Sequence, residues 1–179
     1  MENMENMKVE NHQEKRMVTS AEAAKILRKL EEDKAVLQEK ETKLRQYHAA
    51  VSEDPAELKP DYDFIKYQSE ILAIDEKMRK IKHCINVFNS TTEVIDSMTI
   101  DEVLIYLPQL NSLKRKYYTM QSVAPKIRCS IVGSVIDYIY ANYDPEVVKM
   151  CYEDTADIIN RYQMALDTVN NTVEFEIPV

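Results

Sequence analysis

The stretch FIKYQSEILAIDEKMRKIKHCINVF, residues 64–88, decides the fold class of this chain. Apolar side chains fill every slot of an alternating three- and four-residue spacing, at Phe64, Tyr67, Ile71, Ile74, Met78, Ile81, Ile85 and Phe88. A helix with this pattern places its large apolar side chains on one narrow seam and its charges elsewhere. The mean spacing of about 3.5 residues is what a coiled-coil partner requires. The stretch therefore predicts a long helix that packs against another helix.

This seam should belong to the second of two long helices. Thr19 and Glu22 have the spacing of a capping box, which predicts that a first helix begins at residue 19. Its stripe extends to residue 51, where a connection containing two prolines begins. Asp33 and Lys40 occupy core slots of that stripe, so helix one should cover helix two incompletely. We predict helices over 19–51 and 62–89, folded back on each other.

The second half of the chain should add two further helices and some extended structure. A second capping box at Thr99 and Glu102 predicts a helix over 99–122, and Asp144 caps a last helix over 145–171. Valine, isoleucine and tyrosine are frequent around the lone glycine, which favours a β-hairpin over 127–143. Shorter strands are predicted over 91–95 and 172–177. The polar opening, residues 1–18, is predicted to be a disordered tail.

The predicted fold class is mainly α. Antiparallel coiled-coil hairpins should form one elongated helical domain over residues 19–179, with the strands gathered as a small β element at one end. The apolar seam of residues 64–88 is richer than the stripe of helix one. Surplus apolar surface on a helix is buried by other subunits, so we expect a homo-oligomer that associates through the eight seam residues.

The composition excludes several classes of protein. The 179 residues include one glycine and no tryptophan, so the chain lacks the glycine-rich loops of nucleotide-hydrolysing and dinucleotide-binding folds. The formal net charge is −8, and an acidic surface repels nucleic acid and anionic lipid. No apolar run approaches the length of a membrane span. We therefore expect neither general nucleic-acid binding nor a membrane partner.

The thiols and imidazoles do not form a recognisable site in the sequence. Three widely spaced cysteines without a CxxC pair fit neither a disulfide framework nor a zinc site, and reduced thiols are typical of the cytoplasm. None of the three histidines stands at helical spacing from another metal-ligand residue in a convincing cluster. Acid pairs such as Glu31 with Glu32 are typical of a wet coiled-coil face. We expect a cytoplasmic protein with no metal, no cofactor and no enzyme activity.

One stretch of the chain is basic. Between Val103 and Ile136 there is no acidic residue, whereas five cations occur among tyrosines. Such a patch has three interpretations: the solvated end of a helix, a contact with an acidic protein partner, or a site for a small anion or nucleotide. The anion-binding candidates are Lys114, Arg115, Lys116, Lys126, Arg128 and Tyr117.

Two helix ends share a sequence frame at a spacing of 81 residues. The frame runs aliphatic, three residues, Asn, one residue, Thr, one residue, Glu, apolar. Its polar members are Asn89, Thr91 and Glu93 in the first copy and Asn170, Thr172 and Glu174 in the second. Asparagine tolerates the left-handed conformation that ends a helix, so the frame is either a repeated stop signal or a repeated polar site.

Three segments resemble the septicolysin-like family, which comprises small helical proteins of bacteria and their phages. They are INVFNSTTEV at 85–94, MTIDEVLIYLPQLNSLKRKY at 98–117 and ALDTVNNTVEFEI at 165–177, and the resemblance extends over residues 20–178. It implies a helical hairpin, a capped third helix and a terminal N-x-T-x-E run. It implies no catalytic residues. The basic, serine-rich run of that family is reduced here to Lys126, Arg128 and Ser130.

The expected function is that of a non-enzymatic, homo-oligomeric coiled-coil protein of bacterial or phage origin, which acts in protein interaction or assembly. Its partners would be copies of itself and a further protein. The alternative is a protein that binds or sequesters a small anion or nucleotide through the basic and tyrosine-rich patch.

Overall fold

The computed structural model describes residues 15–129 and 136–178, and most of these residues lie in helices. In chain order the elements are β1 Lys15–Thr19, α1 Ser20–Leu44, α2 Pro55–Leu58, α3 Phe64–Thr91, β2 Glu93–Ile95, β3 Met98–Thr99, α4 Ile100–Gln121, β4 Lys126–Arg128, β5 Tyr138–Tyr140, α5 Pro145–Thr172 and β6 Glu174–Pro178. The prediction of a mainly α fold with short strands is confirmed. Residues 1–14 of the predicted tail and residues 130–135 of the predicted hairpin lie outside the described residues.

The chain divides into two compact units. Unit 1 comprises Met1–Phe88 and Asn171–Val179, so it contains β1, α1, α2, α3 and the last strand, β6. Unit 2 comprises Asn89–Asn170 and contains β2, β3, α4, β4, β5 and α5. The single domain predicted over residues 19–179 is thus divided, with one pair of long helices in each unit.

Both predicted capping boxes start a long helix. The backbone N–H of Thr19 donates to a Glu22 carboxylate oxygen at 2.9 Å, and the N–H of Glu22 donates to the Thr19 hydroxyl oxygen at 3.3 Å. The same two bonds join Thr99 and Glu102 at 2.7 and 3.4 Å. These bonds satisfy backbone donors that a helix N-terminus leaves without partners. They explain why α1 and α4 begin directly after the two threonines.

Helices α1 and α3 lie side by side in opposite directions. Glu41 near the end of α1 accepts a bond from Gln68 near the start of α3, and Lys34 pairs with Asp75 further along. Asp33 and Lys40, which were predicted to weaken the seam of α1, are exposed, and that prediction is wrong. The face of α1 that is at least half-buried instead follows Ala23, Ile26, Leu27, Leu30, Lys34, Leu37, Glu41 and Leu44.

Helix α1 is shorter than predicted. It ends at Leu44, where the N–H of Arg45 closes the last turn on the Glu41 carbonyl at 2.9 Å, whereas the prediction extended it to residue 51. Tyr47 and Val51 continue the apolar spacing but are exposed, so extending the helix would bury nothing there. The connection also contains the short helix α2.

The core of unit 1 is closed by a strand pair that joins distant parts of the chain. Strands β1 and β6 run antiparallel, with Arg16 opposite Ile177 and Val18 opposite Phe175. Val18 and Ile177 are fully buried in a cluster with Ala23 and Ile81. The prediction of a disordered tail over residues 1–18 is therefore wrong for residues 15–18, because alternate residues of β1 meet a partner strand from the other end of the chain.

In unit 2, α4 and α5 also run in opposite directions. Tyr106 on α4 packs edge-on against Tyr162 on α5 at 5.3 Å between ring centroids, and Tyr118 approaches Tyr152 at 6.1 Å. Strands β2 and β3 form a tight hairpin in which Asp96 and Ser97 both have positive φ, 52° and 61°. A two-residue turn of this hand matches the twist of the strands that it joins.

The prediction that the strands gather into one small sheet is wrong. The described residues contain three separate two-stranded ribbons, β1 with β6, β2 with β3, and β4 with β5. The predicted hairpin over residues 127–143 corresponds to the β4–β5 ribbon, and β2 and β6 match the two shorter predicted strands. Each long helix thus has a strand beside it in sequence, and these strands pair within a unit.

The two halves of the chain repeat one plan of strand, helix, connection, helix and strand. A shift of 80 residues places the β1–α1 boundary at Thr19 on the β3–α4 boundary at Thr99. A shift of 81 residues places α3 Phe64–Thr91 on α5 Pro145–Thr172, and both helices have 28 residues. The frame found at a spacing of 81 residues is therefore one part of a whole-chain internal repeat.

Candidate interaction surfaces

The predicted seam is mostly covered inside unit 1. Ile71, Ile81 and Phe88 are buried, and four further seam residues are half-buried, namely Tyr67, Ile74, Met78 and Ile85. Only Phe64 is exposed among the eight. The premise that the chain leaves this stripe uncovered is therefore wrong, whereas oligomerisation itself stays a prediction. Phe88 illustrates the covering, since its ring stacks on Phe175 of β6 at 4.4 Å.

The β4–β5 ribbon is an exposed part of unit 2. All six of its paired residues are exposed. Ile127 stands opposite Ile139, and because side chains alternate along a strand, this aliphatic pair occupies one face of the ribbon. A two-stranded hairpin is marginally stable in water unless a further strand or helix covers a hydrophobic face. The exposed aliphatic face is therefore a candidate binding surface.

The opposite face of the ribbon is cationic and aromatic. Lys126 stands opposite Tyr140, and Arg128 stands opposite Tyr138. The Lys126 ammonium lies 3.9 Å from the centroid of the Tyr138 ring and 5.4 Å from that of Tyr140. Cation–π contacts of this kind keep the lysine over the rings instead of extended into solvent. The face offers positive charge to an acidic partner.

The edges of the ribbon carry main-chain groups that the ribbon itself does not use. The N–H of Cys129 bonds to the Asp137 carbonyl, and the N–H of Ala141 bonds to the Pro125 carbonyl. Because inward and outward groups alternate along an antiparallel pair, residues 126, 128, 138 and 140 direct their main-chain groups to the two outer edges. Such an edge accepts an additional strand.

A second basic cluster lies between α4 and α5. An open groove of 330 Å³ is lined by Asn111, Lys114, Arg115, Tyr118 and Tyr152. The Lys114 ammonium lies 5.5 Å from the centroid of the Tyr152 ring. Two cations beside two aromatic faces can hold a phosphate and stack a planar group. The groove is thus chemically suited to a small anion.

The structure divides the predicted anion-binding residues into different places. Lys114 and Arg115 line the groove, whereas Lys126 and Arg128 lie on the β4–β5 ribbon. Lys116 is exposed outside the groove lining, and Tyr117 is half-buried outside it.

Tyr118 and Tyr152 take the aromatic role that was assigned to Tyr117. Tyr118 follows Lys114 by four residues, and that helical spacing is a signal in the sequence. Tyr152 has no such signal, because its place opposite Lys114 depends on how α5 pairs with α4.

The repeated polar residues occupy equivalent places at the two helix ends. Asn89 and Thr91 lie in α3 and Asn170 and Thr172 in α5, while Glu93 begins β2 and Glu174 begins β6. Glu93 stands opposite Thr99 and Glu174 stands opposite Thr19, so each glutamate meets the threonine that caps a long helix. Each helix continues two residues beyond its asparagine, and neither asparagine has a positive φ, so the left-handed helix end expected at Asn89 and Asn170 is not formed. What the two copies share is a strand that follows the helix and pairs with a capping residue.

Three further features bear on binding. Within residues 15–129 and 136–178, no group of three or more His, Cys, Asp or Glu side chains is arranged to hold a metal ion. Cys84, Cys129 and Cys151 are half-buried and not joined in disulfides. Among the described residues, no helix combines the length and the apolar character needed to cross a membrane.

Comparison with known proteins gives a fold and no function. No protein-family model and no curated protein matches the chain. A similar solved structure is that of a functionally unknown conserved protein from Corynebacterium diphtheriae, with a TM-score of 0.54 and 14% sequence identity. The match covers 89% of this chain and 99% of that one. At this identity the likeness concerns the fold alone, and the resemblance to the septicolysin-like family stays a prediction.

Proposed function

We propose that this chain is a non-enzymatic protein-interaction module that forms homo-oligomers, with its helix pairs acting as coiled-coil hairpins in an elongated bundle. The observation that carries the proposal is the exposure of the β4–β5 ribbon. All six of its paired residues are exposed, although four of them are aliphatic or aromatic. A cytoplasmic role in a bacterium or a phage is part of the proposal. The free cysteines support the compartment, and the bacterial source of the protein with a similar fold supports the bacterial setting.

A second copy of the chain is the occupant that best suits the ribbon. Two-stranded hairpins gain independent stability when they become sheets of three or more strands, and two ribbons joined edge to edge make four. A two-fold axis between two copies would place each strand edge against the same edge of the other copy. Joining two β4 edges would place Lys126 and Arg128 beside their own copies, and like charges across strands are destabilising. The β5 edge carries Tyr138, Ile139 and Tyr140, which lack that repulsion.

The seam of α3 takes a supporting role in this proposal. At the beginning of α3, Phe64 of the seam is exposed, and so are Ile65 and Leu72, which lie outside the seam. These side chains are a second apolar contact for an assembly partner. Replacing Ile81 with lysine would not report on assembly, because Ile81 is buried in the core of unit 1 and the variant would unfold.

The test is the molar mass in solution of two matched variants. Ile139→Lys places cations on both sides of the proposed two-fold axis and should convert a dimer into a monomer. Ile105→Lys is the control, because Ile105 on α4 is 62% exposed against 59% for Ile139. Light scattering across a concentration series should give twice the chain mass for the wild type and for Ile105→Lys. A wild type that stays monomeric, or an Ile139→Lys that stays dimeric, contradicts the proposal.

A second candidate function is binding of a small anion or nucleotide in the α4–α5 groove. It is favoured by the position of Lys114 over the Tyr152 ring, beside Arg115 and Tyr118. Nucleoside monophosphates should raise the melting temperature of the wild type and not that of Arg115→Gln, with Lys116→Gln as the control outside the groove. An equal shift in all three proteins would place the binding elsewhere.

A further inference from the structure

A small apolar cavity lies in unit 1 where α1 and α3 meet the β1–β6 ribbon. Its volume is 160 Å³, and its lining comprises Arg16, Ile26, Leu30, Lys77, Ile81, Ile177 and Pro178. Five of these residues are aliphatic or proline, and the two cations are exposed. An apolar space of roughly 150 Å³ is large enough to hold a benzene-sized molecule.

The equivalent place in unit 2 is filled by the protein itself. The repeat shifts place Ile26 on Tyr106 and Ile81 on Tyr162, and these two rings pack edge-on at 5.3 Å. Two tyrosines are much larger than two isoleucines, so the volume that unit 1 leaves open corresponds to aromatic rings in unit 2. The cavity is therefore a specific difference between two copies of one plan.

Unit 2 also supplies a carboxylate at this place. The Tyr162 hydroxyl donates to an Asp96 carboxylate oxygen at 2.9 Å, and the shift of 80 residues places Asp96 on Arg16. Unit 1 thus has a cation, Arg16, at the position that corresponds to Asp96. It also has Lys77 at the position that corresponds to Ile158 of unit 2. Unit 2 contains an aromatic ring bonded to an acid that Arg161 also contacts at 2.7 Å, whereas unit 1 contains a cavity with two cations next to it.

The two cations belong to those of unit 1 that form no ion pair among the described residues. Lys15, Lys34, Lys80 and Lys82 each form an ion pair with a carboxylate of unit 1. Across the described parts of the chain, neither Arg16 nor Lys77 is joined to a carboxylate in this way.

From these observations we propose that the unit 1 cavity binds a small aromatic carboxylate. The ring would occupy the space between Ile26 and Ile81, and Arg16 and Lys77 would donate to the carboxylate. A guanidinium can hold both oxygens of a carboxylate, and a lysine adds a second charge-assisted bond. The ligand would reproduce in unit 1 what Tyr162 and Asp96 do in unit 2. This site is independent of the β4–β5 ribbon, so it extends the proposed function.

The test compares three probes that share one ring. Benzoate should bind the wild-type protein in a calorimetric titration, whereas benzamide lacks the charge and benzylamine reverses it. Both should therefore bind at least roughly tenfold more weakly, because a charge-assisted bond is worth more than a neutral one. Benzamide or benzylamine binding as tightly as benzoate would overturn the proposal, and so would the absence of benzoate binding.

Variants locate the binding. Lys77→Gln and Arg16→Gln should each weaken benzoate binding by roughly three- to tenfold, because each removes one solvent-exposed cation from the cavity mouth. Lys66→Gln is the matched control, since Lys66 is an exposed lysine on the same helix outside the cavity. Ile26→Tyr copies the ring of unit 2 into the cavity and should abolish binding while leaving the circular dichroism spectrum unchanged. Benzoate affinity that is the same in Lys77→Gln and Lys66→Gln would overturn the assignment.

Discussion

Truncating Ile177 to alanine should destabilise unit 1 by ~3 kcal/mol. Ile177 is 1% exposed and lies on β6 in the cluster that contains Val18 and Ile81. The carbon atoms that are lost are each worth about 0.8 kcal/mol of transfer free energy, and the space that they leave adds a cavity term. Because Ile177 already lines an open cavity, its neighbours have little to collapse onto, so the cavity term should persist.

The measurement is urea unfolding followed by circular dichroism, combined with amide hydrogen exchange that distinguishes the units. Ile65→Ala is the control, because Ile65 lies on α3 of the same unit and is 73% exposed. That variant should stay within about 0.5 kcal/mol of the wild type. The loss of protection in Ile177→Ala should include β1, which is far away in sequence and adjacent in the ribbon. If Ile177→Ala unfolds at the same urea concentration as Ile65→Ala, β6 does not close unit 1 as described.

Three contacts give further expected outcomes. Tyr162→Phe removes the bond to Asp96 and should cost about 1 kcal/mol in urea titrations near neutral pH. The bond to Asp96, and after it burial, raise the pKa of Tyr162 above 10.0. The contribution of this bond to stability is therefore complete below pH 10.0 and is lost as the pH rises through the raised pKa. Unfolding of the wild type and of Tyr162→Phe across an alkaline pH series would detect this loss. Bonds from the backbone N–H and the hydroxyl of Thr99 lower the pKa of Glu102 below 4.5. The contribution of Glu102 to stability is therefore present above pH 4.5 and is lost as the pH falls through the lowered pKa. In Glu102→Gln, the melting temperature should depend less on pH in this acidic range. Lys34 and Asp75, at 2.7 Å and partly exposed, should show a coupling energy below about 1 kcal/mol in a double-mutant cycle, and less at high salt.

Local signals in the sequence predicted the helices well. The capping boxes at Thr19 and Thr99 each combine a hydroxyl and a carboxylate within one turn, so three residues of spacing were enough to place two helix starts. Asp144 likewise caps α5, accepting a bond from the N–H of Glu146. The end of α1 was mispredicted because Tyr47 and Val51 keep the apolar spacing where no partner covers them.

Features that depend on distant pairing were not predictable in the same way. Strand β1 looks like a polar tail in sequence, and its stability comes from β6 at the other end of the chain. The register between helices likewise decides that Lys34 and Glu41, and not Asp33 and Lys40, belong to the face of α1 that packs in unit 1. The interaction surfaces share this dependence, since the basic groove needs Tyr152 of α5 to lie opposite Lys114 of α4.

The internal repeat separates what holds the fold from what distinguishes each unit. Positions that match under the repeat shift include the capping threonines and the buried pair Ala23 and Val103, and these serve helix starts and cores in both units.

Two of the differences between the units concern regions that could bind a partner or a ligand. The connection between the long helices contains α2 in unit 1 and the β4–β5 ribbon in unit 2, and the core beside the strand pair contains a cavity in unit 1 and tyrosine rings in unit 2. A fold duplicated for stability alone has no need of these differences, because either version would serve both units. The two differences are therefore where binding is expected, with self-association at the ribbon and a small carboxylate in the cavity.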